Sequence, residues 1–406
     1  MPRADPRLLV FSSLFPHAGQ PGAGLFVRER MFRVGQVLPL SVVSPKPASP
    51  LDPLVRRMRP HYRPVAPREE RQQGFRVRFP RFPAVPGLLR GADGYLMALG
   101  CLPLLWRQRN AFDILDAHFA YPDGYAATLL GRWLGKPVTV TLRGTEVPHS
   151  RDPARRPQLI RTFARATRLF AVSGSLARLA VALGADPQRV QVVGNGVDLE
   201  RFRPLDRAEA RARLQLPTDA PVLISVGGLV ERKGFHRAIE ILPELLARYP
   251  RLHLLIAGGA GPEGDYATAL RNQTAKLGLS ERVRFLGHIG PERLAEPLSA
   301  ADVFVLATRN EGWANVFLEA MACGLPVVTT DVGGNPEVVC DPALGTLVPL
   351  GDSAALAAAI GAALARDWDR AAIRAYAQAN GWERRVETLV AAFRAIDRAD
   401  EGGRAR

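Results

Sequence analysis

Short apolar runs, each bounded by turn residues and followed by a stretch of helical periodicity, recur along most of this 406-residue chain. That alternation constrains the fold more than any other feature, because strand, turn and helix repeated in series build parallel sheets with helices on both faces. In the first half, Arg7–Phe15, Phe112–Phe119, Pro137–Leu142, Leu169–Val172 and Val190–Val193 read as strands, with a helix over Tyr125–Leu134. In the second half the strands are Pro221–Val226, Leu252–Ala257, Arg282–Leu286, Val303–Ala307 and Pro326–Thr330, with helices including Arg237–Arg248 and Tyr266–Leu277 between them. A chain this long divides into more than one core. Asn195–Pro204 separates the two patterns with an Asn-Gly turn and a closing proline. The predicted class is α/β, with two doubly wound, Rossmann-like domains facing across a cleft. Pro45–Pro86 reads as a surface excursion, Ser353–Ala365 as a helix capped by Asp352 or Ser353, and the residues after Asp397 as a disordered tail.

Composition narrows the function classes. No run approaches the ~20 apolar residues of a membrane span, and the first residues lack an apolar core followed by a cleavage site. The expectation is a cytoplasmic protein. Cys101, Cys323 and Cys340 are too scattered for a disulfide framework or a zinc site and read as buried free thiols. Residues 1–200 hold 29 of the 54 Lys+Arg but 14 of the 39 Asp+Glu, so the whole excess of +15 lies in the N-terminal half. A basic half of this kind attracts phosphorylated substrates or acidic lipid headgroups. No zinc-finger or aromatic-basic RNA signature accompanies it, so nucleic acid is not expected.

Ligands of doubly wound sheets sit outside the carboxyl ends of the strands, and the motifs follow strands. After Val226 comes Gly227-Gly228-Leu229-Val230-Glu231-Arg232-Lys233-Gly234, a glycine turn that presents two cations at an expected helix start, suited to a diphosphate. After Val303–Ala307 comes Glu311-Gly312-Trp313-Ala314-Asn315-Val316-Phe317-Leu318-Glu319. Asn315 is expected to cap a helix to Ala322, leaving the amides of Asn315, Val316 and Phe317 as unpaired first-turn donors. Glu311 before the helix and Glu319 within it can each accept hydroxyl hydrogens from a different part of one ligand.

Glu311 and Glu319 form an E-x7-E pair, and EGWANVFLEAMACGLPVVTT with Gly333, Gly334 and Glu337 resembles the donor block of family 4 glycosyltransferases of the GT-B fold. The resemblance continues through VGGLVERKGF (226–235), GNGVDLERF (194–202) and the terminal helix at Trp382-Glu383. FPHAGQPGAGLFVRER and DAHFAYPDGYAATLLGRWLGKPVTVTLRGTE are similar to the teichuronic-acid-type subgroup, so nearly the whole chain is covered. The resemblance implies an acceptor-side domain over 1–198, a donor domain over 199–375, a helix over 376–397 crossing back to the first domain, and a tail over 398–406. It implies that Arg232 and Lys233 hold the diphosphate, Glu319 the ribose and Glu311 the donor sugar. The amides of Asn315–Phe317 meet phosphate or sugar, Gly22 and Gly24 with Gly228 line the glycine loops, and the base stacks near Leu286. It further implies retention of anomeric configuration, no metal and no cofactor, the nucleotide-sugar being a substrate.

On the acceptor side, His118 follows a strand, and Arg143 and Glu146 follow the next, in TLRGTE. Many relatives carry histidine where Arg143 stands. Arginine cannot act as a base, but it can hold an anionic acceptor, with Glu146 orienting it. A saccharide linked to a polyprenyl diphosphate, met at an anionic membrane surface by the segment Arg56–Arg90, is the expected acceptor. Gly259-Ala-Gly261-Pro-Glu-Gly264 matches a dinucleotide loop but lacks the following ribose-binding acid, and Asp367-Trp-Asp369 lies away from any strand end, so both are set aside. The rival readings are a nucleotide-sugar epimerase on the same fold and a non-catalytic basic membrane adaptor.

Overall fold

The computed structural model describes residues 5–58, 62–84, 91–261 and 264–404, with side chains to residue 400. Two compact units emerge: one runs to Asn195 and resumes at Glu383, and the other is Gly196–Trp382. Residues 59–61 and 85–90 of the Arg-rich segment, and Pro262-Glu263 of the set-aside glycine loop, lie outside the described residues.

The first unit is built on strands β1 (Leu8–Phe11), β2 (Leu40–Val43), β3 (Lys46–Ala48), β4 (Glu69–Gln72), β5 (Phe75–Arg78), β6 (Arg81–Pro83), β7 (Ile114–His118), β8 (Val138–Leu142), β9 (Arg168–Ala171) and β10 (Val190–Val192). Eight of them form one sheet in the order β10-β9-β8-β7-β1-β2-β5-β4, and β3 pairs with β6 in a separate ladder. All pairs in the large sheet are parallel except β4 with β5. Pro45–Pro86 is therefore more than a surface excursion. Its strands extend the sheet, with Val77 and Phe79 buried, while the charged faces of Glu69–Gln72 and Phe75–Arg78 hide the strand signal. Helices α1 (Leu25–Gly35), α2 (Asp52–Met58), α3 (Asp93–Arg107), α4 (Tyr125–Leu134), α5 (Glu146–Ser150), α6 (Arg156–Arg165) and α7 (Gly174–Ala182) complete the layers before the chain crosses to the second unit.

The second unit has strands β11 (Val222–Val226), β12 (His253–Ala257), β13 (Val283–Gly287), β14 (Val303–Leu306), β15 (Val327–Thr330) and β16 (Gly345–Val348). They form one parallel sheet in the order β13-β12-β11-β14-β15-β16. β11, β12, β14 and β15 are buried at every position, as parallel strands covered by helices on both faces are, and they are mainly apolar; the buried Ser225 and Thr329 hydroxyls donate to the Val305 and Leu306 carbonyls at 2.6 and 2.7 Å. The stretch 237–248 is two helices, Phe235–Glu240 and Leu242–Arg248, because Pro243 has no amide hydrogen to continue the first. Asp352 caps Ser353–Ala365 through the Ala355 amide at 2.8 Å.

Residues 376–382 stay with the second unit, and the helix that joins the first unit, Trp382–Arg404, continues past the position where a tail was expected. Its Leu389, Val390, Phe393 and Ile396 enter the core of the first unit, where Phe393 packs on Phe170 at 5.7 Å between ring centroids. Cys101 and Cys323 are buried, but Cys340 is exposed beside the Tyr376 hydroxyl.

Candidate active site

In the second unit the strand order reverses between β11 and β14, the position in a doubly wound sheet outside whose strand ends ligands bind, and the loops that leave these two strands meet there. The first of these loops carries Arg232 and Lys233. They stand on a single 3₁₀ turn, Glu231–Lys233, not at the start of an α-helix. Gly234 ends that turn at φ 73°, and a Cβ there would sit 1.9 Å from the Ala307 carbonyl oxygen. Only glycine meets both demands, and the close approach pins the cationic turn to the end of β14. The Arg309 amide donates to the Arg232 carbonyl at 2.8 Å, closing the same junction.

The second loop brings Glu311 to the cations. Its Oε1 lies 2.6 Å from Lys233 Nζ and 3.4 Å from Arg232 Nη1, and accepts from the Thr308 hydroxyl at 3.2 Å. Arg232 Nη1 also donates to the Asn310 carbonyl at 2.7 Å. Glu311 is 9% exposed. A mostly buried carboxylate that gathers three donors on one oxygen is held by charge-assisted hydrogen bonds. An anion of higher charge entering the crevice competes for the same donors. Gly228 is half-buried in the loop, close to Gly261.

The helix after this loop is Asn315–Ala322, as expected in extent, but Ala314 precedes it and no side chain caps it. Asn315 is thus its first residue, not its cap. The Phe317 amide donates to the Ala314 carbonyl at 3.1 Å and is not an open donor. The Phe317 ring is fully buried, 5.7 Å from Phe304, and anchors the helix start to the sheet. Val316 and Glu319 are half-buried. The Glu319 charge helps raise the Cys323 thiol, which burial pushes up to about 12. Leu286 is half-buried near the carboxyl end of the edge strand β13.

In the first unit the sheet reverses between β1 and β7, and the other motifs lie after β1, at the end of β7 and after β8. Gly24 precedes α1 at φ 68°, with the Leu14 carbonyl oxygen 2.2 Å from where a Cβ would lie, so it too must be glycine. Gly22 is exposed with open space around it. His118 at the end of β7 is fully buried. Its Nδ1 faces Arg143 Nε and Nη2 at 3.2 and 3.0 Å, and its Nε2 lies 3.3 Å from Asp116 Oδ2. Burial first, and the Arg143 charge after it, lower its pKa to about 4 against the pull of Asp116, so the ring is neutral near pH 7. Arg143 Nη1 donates to Asn195 Oδ1 at 3.3 Å, and its guanidinium lies over the Phe26 ring. Glu146 does not orient the guanidinium. Its carboxylate instead accepts the backbone amides of Ala120, Arg143 and Gly144 at 2.9, 3.1 and 2.7 Å, and ties the β7 and β8 loops together.

Residues 54–201 match the family Glycosyltransferase Family 4, and residues 206–380 match Glycosyl transferases group 1. The putative teichuronic acid biosynthesis glycosyltransferase TuaC of Bacillus subtilis is 30% identical over 338 residues, covering 81% of this chain and 82% of that protein. The chain belongs to glycosyltransferase family 4. Within the family, a D-inositol 3-phosphate glycosyltransferase of Geodermatophilus obscurus is 43% identical over 239 residues, 57% of this chain. That match spans about half of the relative's length, 53%. HepE of Anabaena, solved with UDP and glucose, shares the GT-B fold at a TM-score of 0.74 and 19% identity, covering 95% of this chain and 99% of its own.

This family 4 chain also holds site residues that sequence reasoning missed. Arg30 on α1 is fully buried, donates to the Val193 carbonyl at 3.0 Å and reaches Asn195 Oδ1 at 3.4 Å. Its Nε and Nη2 find no hydrogen-bond partner among the described residues. Burial lowers its pKa to about 10, which leaves it a cation at neutral pH. A second set joins the buried Asp123 to the half-buried Ser13 and Lys46. Asp123 accepts from the Ser13 amide and hydroxyl, and Lys46 Nζ donates to the Ser13 carbonyl at 2.8 Å. Burial raises Asp123 to about 7 and lowers Lys46 to about 8. Nothing in the local sequence marks Arg30 as interior or Lys46 as a partner of Ser13, since each contact spans dozens of residues.

Proposed function

We propose that this chain transfers a sugar from a nucleotide diphosphate-sugar, with UDP as the nucleotide, to a lipid-linked saccharide acceptor in cell-surface polysaccharide synthesis. The transfer retains anomeric configuration and proceeds without a metal ion. The observation that carries this reading is the convergence of Lys233 Nζ and Arg232 Nη1 on Glu311 at the reversal point of the second sheet.

When the donor enters, its diphosphate takes the two cations, and Glu311, released from them, accepts from hydroxyls of the donor sugar. Charge that grows on the departing diphosphate as the glycosidic bond breaks is met by Arg232 and Lys233, already fixed by the backbone at Asn310 and Gly234. Glu319 accepts from the ribose, Leu286 borders the base, and the Asn315 and Val316 amides face phosphate oxygens. Arg143, held by His118 and Asn195, gives the acceptor an electropositive wall. In this reading Arg143, not His118, meets the acceptor, and His118 positions it. The basic excess of residues 1–200 favours an anionic acceptor at a membrane surface. The UDP choice draws on HepE, and the anionic acceptor on the inositol-phosphate relatives.

The test is a thermal-shift screen of UDP- and GDP-sugars followed by transfer of labelled sugar to a lipid extract. A ligand at 100 times its Kd stabilises by about 2.7 kcal/mol, well within reach of the screen. Release of free UDP and epimerised sugar without lipid-borne label would replace this reading with the epimerase. No shift with any nucleotide-sugar would leave only a non-catalytic role.

A further inference from the structure

Helix α3 is unusual for a surface helix. Asp93 and Arg107, at its two ends, are its only charged residues. Its inner face, Gly94, Met97, Ala98, Cys101 and Leu105, is buried. Its outer face is not: Tyr95, Leu99 and Trp106 are 48%, 43% and 51% exposed. These three lie at helical spacing on one stripe, with aromatic rings toward both ends. Exposed aromatic and aliphatic side chains in a contiguous stripe mark a surface that is covered in use.

The neighbouring surface supplies the charge. Gln158 in the first turns of α6 donates to the Gly91 carbonyl at 2.9 Å, which places α6 beside the start of α3. There Arg151, Arg156 and Arg161 line an open depression of about 550 Å³ together with Pro153, Pro157 and Ile160. Among the described residues, Asp152 is engaged by Arg155, and none of those three arginines is in an ion pair. Three uncompensated guanidiniums around an apolar floor fit a phosphate headgroup with acyl chains beside it.

We propose that α3 and the Arg151–Arg161 depression form one docking face for an anionic lipid bilayer. The face rests on the reading above that the acceptor is met at a membrane. It differs from the Arg56–Arg90 segment that the sequence pointed to. At 1.5 Å per residue, the 15-residue α3 is about 22 Å long, short of the ~30 Å hydrocarbon core, and it lies along the membrane rather than across it. Its stripe enters the headgroup–acyl boundary while the arginines draw anionic lipid.

Flotation of the full-length chain with phosphatidylcholine vesicles, with and without phosphatidylglycerol, tests the face. The wild type floats with the mixed vesicles and far less with phosphatidylcholine alone. Each arginine near an anionic surface contributes about fivefold in partitioning, so Arg151→Ala, Arg156→Ala and Arg161→Ala together weaken it on the order of 100-fold. Leu99→Ser with Trp106→Ser weakens binding to the mixed vesicles with the arginines intact. Circular dichroism and the nucleotide-sugar thermal shift are unchanged in both variants, so a failed donor reading and a failed docking face give different results. Equal flotation of wild type and variants overturns the proposal, as does a wild type that floats with neither vesicle. So does a concentration-dependent dimer that Leu99→Ser disperses, because a second copy would then cover the face.

Discussion

In the proposed reading Glu311 and the nucleotide diphosphate compete for the same cations, and this makes Glu311→Gln and Lys233→Met opposite perturbations. Lys233→Met removes a charge-assisted hydrogen bond that the diphosphate would take over from Glu311. Hydrogen bonds to charged groups contribute about 1.5–3 kcal/mol, so UDP should bind about 10- to 150-fold more weakly. Glu311→Gln removes the ligand's competitor and keeps the side-chain shape. The 2.6 Å contact with Lys233 and the 3.4 Å contact with Arg232 both weaken, and both cations become easier to recruit. UDP, which carries no sugar to miss the carboxylate, should therefore bind at least as tightly as to the wild type, while turnover of the intact donor falls by about 10-fold or more. Isothermal titration with UDP, alongside steady-state transfer, measures both. If Glu311→Gln weakens UDP binding as much as Lys233→Met, the carboxylate supports the cations instead of competing for them, and the proposed exchange of partners is wrong.

Three further outcomes follow from the packing. Gly234→Ala strains a left-handed residue and drives a Cβ into the Ala307 carbonyl, so chemical denaturation should show a loss of about 3 kcal/mol or more, with UDP binding reduced alongside. Phe317→Ala empties a fully buried site against Phe304 and should cost about 3–5 kcal/mol by the same measurement. Asp123 has its pKa raised by burial to about 7, from an ordinary value of 3.8. Its favourable contribution is complete below the unfolded value and disappears as pH rises through 7. The stability of Asp123→Asn relative to wild type should therefore increase by about 4 kcal/mol between pH 4 and pH 8. A difference that stays flat with pH would place the carboxylate in a more polar setting than its burial indicates.

The second unit was the more legible half, for a physical reason. Its central strands are buried on both faces and so appear as mainly apolar runs, VLISV at Val222–Val226 and VFVL at Val303–Leu306. The edge strand β16, Gly345–Val348, escaped notice because half of it is only partly covered and it opens on glycine. β4 and β5 were hidden more thoroughly, since Glu69–Gln72 is charged or polar at every position and looks like solvated loop. At the site, the motif residues Arg232, Lys233 and Glu311 could be named in advance because a strand end precedes each group. Their mutual ion pairing could not, since it depends on the side-by-side placement of β11 and β14, which are 80 residues apart in register partners such as Ile224 and Phe304. Arg30 was invisible for the same reason: on α1 it resembles its half-buried neighbours Arg28 and Arg33, and only contact with Val193 and Asn195 reveals it as interior.

The terminal helix has a consequence for how the chain is made. Because Leu389, Val390, Phe393 and Ile396 complete the first unit's core, that unit is encoded in two pieces with the whole of Gly196–Trp382 between them. Burying four such side chains is worth roughly 6–12 kcal/mol, comparable with the net stability of an entire domain. On the ribosome, the domain begun first is therefore finished last. Gly196–Trp382 can close its own sheet while the earlier-synthesised half waits with an open apolar face, and a nascent chain stopped short of Phe393 presents that face to chaperones and proteases.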